Sequence, residues 1–242
     1  MILRHIHLPA CTSYSHAAAL QHRLVTSLLA HKASPHTLPA PPPPTIITAQ
    51  FHPVYTCGRR EIGTVSPAQR EYLTEQTPLG RADFVEALRG GQTTFHGPGQ
   101  LIAYPIIDLK RHHITPRCYV RLLENSVMDV CRSFGVETCT TEHPGVWVDD
   151  MHKICAVGVH LRRNVTSHGV GLNVDTDMGW FERIVGCGLE GKRTTSLLLQ
   201  GVNVAGGVEE VGAGFVRMFA KRMGGVKDIV RVGEGNDVDG AS

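Results

Sequence analysis

The sequence predicts an α/β (α+β) fold, a mixed β-sheet flanked by helices. Two observations predict it: runs rich in β-branched residues are interspersed with segments of helical periodicity, and two glycine-rich connections separate strand-like runs. One domain over residues 1–224 is expected, with a proline-rich surface loop at 33–44 and a loose tail at 225–242.

Ile2 to Leu8 alternates apolar and polar residues as a strand does. Ser13 then precedes a helical face of Ala17, Leu20, Leu24 and Leu28. Between Ala33 and Pro44 six prolines remove backbone donors, which forbids a helix or a central strand. Thr45 to Phe51 and Val54 to Cys57 read as strands, and Ser66-Pro67-Ala68-Gln69 as a capping box that opens a short helix. Asp83 to Leu88 leads as a strand into a glycine-rich loop, and Leu101 to Leu109 leads out of it. Thr115-Pro116 caps a helix with Val120, Leu123, Val127, Val130 and Phe134 on one face, ending at Gly135. Gly145 to Val148 and Ile154 to Leu161 read as a hairpin turning at Asp149-Asp150, and Gly171 to Val174 as another strand. Val208, Val211, Phe215, Met218 and Phe219 mark the last helix, and the apolar-poor stretch after it reads as loose.

The chain of 242 residues carries a formal charge of +2, with no block of like charge, so neither a nucleic-acid nor a membrane surface is indicated. Seven cysteines, an odd number without a C-x-x-C pair, point to reduced thiols. The fourteen histidines lack metal-ligand spacing, so no metal site is expected. No acidic residue occurs before Glu61, although Arg4, Arg23, Lys32, Arg59 and Arg60 do. Such a start resembles a mitochondrial targeting segment, and it also reads as folded structure.

Four segments carry chemistry. The first is Arg89-Gly90-Gly91-Gln92-Thr93-Thr94-Phe95-His96-Gly97-Pro98-Gly99-Gln100, whose glycines let backbone amides approach a ligand while Arg89 and His96 offer donors to a carbonyl or phosphate oxygen. It is longer and more polar than a plain turn requires, and it lacks the Lys-Ser/Thr of a nucleotide-binding loop. Lys153, just after the hairpin turn, has the placement of a solvated strand-edge gatekeeper, and its position alone assigns it no chemistry. Cys187 stands between Gly186 and Gly188, which leaves its sulfur accessible as a nucleophile requires. The alternative for a cysteine, a small apolar space-filler, suits Cys118, Cys131 and Cys155. In His168-Gly169-Val170-Gly171-Leu172-Asn173 small residues again allow close approach, equally compatible with binding and with plain structure.

These segments, in this order, resemble the octanoyltransferases of lipoate biosynthesis. Residues 89–100 match their Arg-Gly-Gly-x-x-Thr-x-His-Gly-Pro-Gly-Gln hallmark, and the match continues through Tyr104-Pro105, Gly145-Val146-Trp147, Lys153-Ile154, Gly158, His168-Gly169, Leu172-Asn173, Cys187-Gly188 and Thr195-Ser196-Leu197. Gln92 stands where an acidic residue is common, Gly186 where proline is common, and Pro39 to Pro44 resemble an insertion. The resemblance implies the biotin/lipoate protein ligase-like fold with an acyl tunnel. It implies a catalytic dyad of Cys187 and Lys153, with Arg89, Gly90, Gly91, Gln92, Thr93, Thr94, Phe95, His96, Gly97, Tyr104, Ala156, Val157, Gly158, His168, Gly169, Val170 and Gly171 as substrate-binding residues. It further implies an acyltransferase that moves octanoyl from acyl carrier protein, through a Cys187 thioester, to a lysine of lipoyl domains of 2-oxoacid dehydrogenases or of glycine cleavage H protein. No metal and no ATP are expected as cofactors, and the expected state is a monomer in the mitochondrial matrix, or in the cytoplasm of a bacterium. The competing readings are an ATP-dependent lipoate or octanoate ligase of the same fold, a non-catalytic binder of lipoyl domains, and a Cys-His hydrolase using Cys187 with His168 or His96.

Overall fold

The computed structural model describes residues 1–35, 40–184 and 191–236. Among them an eight-stranded mixed sheet is built from β1 (Ile2–Thr12), β2 (Thr45–Phe51), β6 (Gln100–Ile106), β7 (Val146–Trp147), β8 (His152–Arg162), β9 (Val165–Asn173), β10 (Arg193–Thr194) and β11 (Asp228–Arg231). Its order is β10-β8-β9-β6-β2-β1-β11, with β7 paired to β8. A three-stranded sheet of β3 (Val54–Cys57), β4 (Asp83–Glu86) and β5 (Thr94–His96) carries the end of the glycine-rich loop.

Helix α1 (Tyr14–Ala33) starts where the Ser13 hydroxyl accepts the His16 N–H, and it buries Ala17, Leu20, Leu24 and Leu28 with Phe51 and Ile102. Helix α2 (Pro67–Thr74) is capped by Ser66 in the same way. Helices α3 (Pro116–Ser133) and α4 (Gly207–Met223) share a core with the sheet that includes Tyr119, Leu123, Val127, Phe215 and Phe219. Helices and apolar side chains therefore cover the sheet from two separate cores, and a small aromatic cluster of Tyr55, Phe95 and Trp180 holds the second sheet.

Four expectations need correcting. The strand leaving the glycine-rich loop stops at Ile106, because the Asp108 side chain accepts the Lys110 N–H and starts a 3-10 turn at Leu109–His112. Strand β9 begins at Val165, well before Gly171, because its polar residues pair with β8 from Arg162↔Val165 onward. The tail is not loose throughout: Asp228–Arg231 forms an edge strand parallel to β1, and residues 237–242 lie outside the described residues. Cys118 is exposed on α3 rather than filling space, whereas Cys131 and Cys155 are buried.

Strand β9 also carries a bend. His168 has φ 57°, in the left-handed region that non-glycine residues seldom occupy, and its N–H donates to Gln21 Oε1 of α1 at 2.6 Å. The next residue must be glycine, because a Cβ on Gly169 would stand 2.2 Å from the Ala103 carbonyl oxygen of β6. Gly169→Ala is expected to cost about 3 kcal/mol, since the oxygen that the new methyl group meets belongs to sheet backbone and cannot step aside. A urea midpoint equal to that of the parent protein would contradict this close approach.

Candidate active site

The cavity of about 340 Å³ lies where the two sheets meet, lined by residues 89–94, 156–158 and 168–171 together with His96, Tyr104 and Lys153. That volume is in the range of small-molecule sites. A narrower cleft of about 30 Å³ shares Thr94, Lys153, Ala156 and Gly171 with it and extends to Trp147, Arg193 and Thr194. Two of the expected binding residues fall elsewhere. Phe95 is fully buried, stacked on Trp180 with ring centroids 4.9 Å apart, and Gly97 packs against the Phe95 ring. The strand alternation of β5 explains the split: Thr94 and His96 turn to the cavity, and Phe95 turns away.

Arg89, which lines the cavity, also braces the loop that carries it. Its guanidinium donates to the Thr56 carbonyl and hydroxyl oxygens, to the Gly90 carbonyl at 3.0 Å and to the Gln92 carbonyl at 2.9 Å. A planar five-donor fork suits a loop that must offer several carbonyls to one centre. Two more contacts fix the same loop. Gly90 N–H donates to the Val159 carbonyl at 3.0 Å, and Glu61 Oε2 accepts from the Thr93 N–H and hydroxyl at 2.6 and 2.7 Å. The glycine-rich loop is thus a wall of the cavity held in place by Arg89 and Glu61.

His96 is oriented by a chain of amides. The Thr195 carbonyl accepts from Asn173 Nδ2 at 2.9 Å, Asn173 Oδ1 accepts from Gln100 Nε2 at 2.8 Å, and Gln100 Oε1 lies 2.6 Å from His96 Nδ1. Since Gln100 uses its NH2 group as donor, its oxygen must accept, so the proton of the neutral imidazole sits on Nδ1 and Nε2 keeps its lone pair. Burial holds His96 at a pKa of about 3, with the Arg89 cation adding to the effect. His168, whose ring meets that of Tyr104 edge-on at 5.4 Å, is likewise lowered to about 3 by burial and then by Arg89. The cavity therefore has two uncharged imidazoles in its lining at neutral pH.

His5, on β1, is also lowered by burial, to about 4. For His5, His96 and His168 the folded value lies below the unfolded one of 6.5. In that interval the unfolded chain binds protons that the folded chain refuses, so stability is complete above 6.5 and drains as pH falls toward 3 to 4. Each imidazole should remove on the order of 1.4 kcal/mol per pH unit. Thermal midpoints recorded from about pH 7 down to about pH 5 should fall steadily, and a flat profile would mean these rings are protonated in the fold.

Lys153 is 7% exposed and so is not a solvated gatekeeper. Its Nζ donates to the Pro144 carbonyl at 3.1 Å and lies 4.5 Å from the centre of the Trp147 ring. Its backbone is fixed by Thr194, which pairs with it from β10, and by the Thr195 N–H donating to its carbonyl at 2.9 Å. Cys187 lies outside the described residues. Among the described residues no group of three metal-ligating side chains is assembled, and no helix is long and apolar enough to cross a membrane.

Sequence reasoning missed several residues at this site. Val120, His143 and Pro144 line the cavity beside Lys153, and Arg60 lines it beside the glycine-rich loop. Glu124 is buried on α3 and was passed over too. A signal existed for it: a carboxylate at the fourth position after Val120 interrupts an otherwise apolar helical face.

Comparison with known proteins adds ancestry to this geometry. Residues 13–216 match the model of the lipoyl protein ligase A/B catalytic domain. A Schizosaccharomyces pombe protein named probable octanoyltransferase is 53% identical over 191 residues, 78% of this chain and 82% of that one. A mitochondrial octanoyltransferase of Saccharomyces cerevisiae is 38% identical over 208 residues, 79% of this chain and 63% of its own. In three dimensions the chain is similar to the bi-partite lipoate protein ligase of Thermoplasma acidophilum, at a TM-score of 0.65 and 14% identity, covering 96% of this chain and 88% of that one. It is also similar to P. falciparum LipL1 in complex with lipoate, at a TM-score of 0.67 and 12% identity, covering 98% and 68%. At such identities the structural likeness carries the fold alone.

Proposed function

The chain belongs to the lipoyl protein ligase A/B catalytic-domain family, and from that premise we propose that it is an acyltransferase of protein lipoylation, moving octanoyl from acyl carrier protein to a lysine of lipoyl domains. The observation that carries the reading is Lys153, a buried amine directed at a carbonyl oxygen and lining the cavity opposite the glycine-rich loop. The resemblance of Lys153-Ile154 and Cys187-Gly188 to the octanoyltransferase motifs supports a role for the two residues together.

In the proposed cycle the Cys187 thiolate, favoured by the Lys153 ammonium, attacks the carbonyl carbon of the octanoyl thioester. The carbon–sulfur bond to the pantetheine arm breaks, and that sulfur leaves as a thiol with the proton of the Lys153 ammonium, which becomes a neutral amine. The acyl group is then a thioester on Cys187. The ε-amine of the acceptor lysine attacks the same carbon, Lys153 takes its proton, and the bond to Cys187 Sγ breaks as the amide forms. Backbone amides of residues 156–158 are the donors proposed for the oxyanion. Exchange of thioesters is nearly neutral and amide formation runs downhill, so the cycle calls for neither ATP nor a metal. The mitochondrial names of yeast and animal relatives support the mitochondrial matrix as its compartment.

Incubation with octanoyl-acyl carrier protein, without ATP, should add one octanoyl mass to the intact protein. Addition of a lipoyl domain should then move that mass to the domain. Product formed from free octanoate only when ATP is supplied would instead identify a ligase. Release of free octanoate before any acceptor is added would identify a hydrolase.

A further inference from the structure

Helix α3 turns one carboxylate inward. Glu124 is 8% exposed, next to Leu123 on the face that packs on the sheet, and its Oε1 accepts the Gly145 N–H at 3.0 Å. Burial lifts its carboxyl above the usual range, while the Gly145 N–H and the cations of Arg121 and Lys153 work against that rise. An apolar side chain would fill this face without a desolvation cost, so packing does not account for a carboxylate.

The Gly145 N–H and the Pro144 C=O belong to one peptide group. A peptide is planar, and in its trans form the two point in opposite directions. Glu124 holds the N–H, and the C=O on the other side receives Lys153 Nζ at 3.1 Å. Any rotation of this plane that leaves Glu124 also swings the carbonyl away from the amine. Only glycine fits at this position, since Gly145 has φ 126° and a Cβ there would lie 2.7 Å from the Cys155 carbonyl oxygen and 3.3 Å from Lys153 Cε.

We propose that Glu124 is a positioning residue for Lys153, acting through the Pro144–Gly145 peptide to hold the amine against the cavity. The proposal rests on the reading of Lys153 as the base of octanoyl transfer. It assigns Glu124 no contact with substrate.

The test measures kcat and KM for transfer from octanoyl-acyl carrier protein to a lipoyl domain in Glu124→Leu, Glu124→Gln, Lys153→Ala and the Glu124→Leu/Lys153→Ala double variant. Leucine keeps the packing and loses the acceptor, so kcat should fall between about 10-fold and 100-fold while KM for the lipoyl domain stays within about two-fold. Glutamine keeps an acceptor oxygen for Gly145 and should restore kcat to within about three-fold of the parent. Because Glu124 acts through Lys153, the double variant should retain the residual turnover of Lys153→Ala and lose no more. A Glu124→Leu loss of equal size in both backgrounds would overturn the proposal, as would a glutamine variant as slow as the leucine one. Full turnover in Lys153→Ala would instead remove the base reading beneath it. Full turnover in both Glu124 variants, beside an impaired Lys153→Ala, would remove the positioning role alone.

Discussion

Cys187→Ala is expected to lower octanoyl transfer by about 10,000-fold or more, the scale on which enzymes with covalent intermediates respond to loss of the nucleophile. The same variant should show no octanoyl mass gain from the acyl carrier protein thioester. The other six cysteines explain why no substitute thiol is expected, since none of them lines the cavity. Burial raises the thiols of Cys57, Cys131 and Cys155, that of Cys131 to about 12, and so suppresses the reactive thiolate. Burial raises Cys11 as well, and Cys118 and Cys139 are exposed away from the cavity lining. Transfer by Cys187→Ala at the parental rate, with a normal mass gain, would end the thioester route. Retained turnover with no covalent intermediate would redirect it toward attack by the acceptor amine on the donor itself.

Arg89→Lys is expected to have the second largest effect. An ammonium has three donors on one atom, whereas the guanidinium reaches Thr56, Gly90 and Gln92 from three nitrogens in a fixed plane. Lysine would leave at least one buried carbonyl unsatisfied, at a cost of about 1 to 3 kcal/mol for each. The glycine-rich wall should loosen, and kcat/KM should fall about 100-fold because substrate is no longer held in register. Hydrogen exchange at residues 90–93 should accelerate in step with that loss. Unchanged exchange with a raised KM for the acyl donor would assign Arg89 to ligand binding instead, and unchanged exchange and turnover would remove the bracing role.

Much of this molecule was legible in its sequence wherever a local rule had nothing to compete with. Ser66 and Thr115 before their prolines, and the stripe from Val120 to Val130, specified α2 and α3 because capping and periodicity act within a few residues. The first half of β9 was not legible, since Thr166, Ser167 and His168 lack an apolar run and take their strand character from pairing with β8. The same holds for β11, four residues whose strand character comes from the edge of β1. At the site, residues 89–94 announced themselves by composition, yet the role of Arg89 depended on Thr56, which lies 33 positions away. Lys153 was locally indistinguishable from a solvated lysine. Trp147 and Pro144 bury it, and only the fold brings Glu124 to the other side of the same peptide.

The bond from Gln21 to the bend at His168 bears on how this protein tolerates change. Gln21 is 6% exposed, while His22 and Arg23 beside it are exposed. A saturation library of α1 should therefore be permissive at 22 and 23 and restrictive at 21, where hydrophobic replacements leave the His168 amide without an acceptor. Such replacements would disturb His168 in the cavity lining from a helix that does not itself line the cavity, so a screen confined to lining residues would overlook the position.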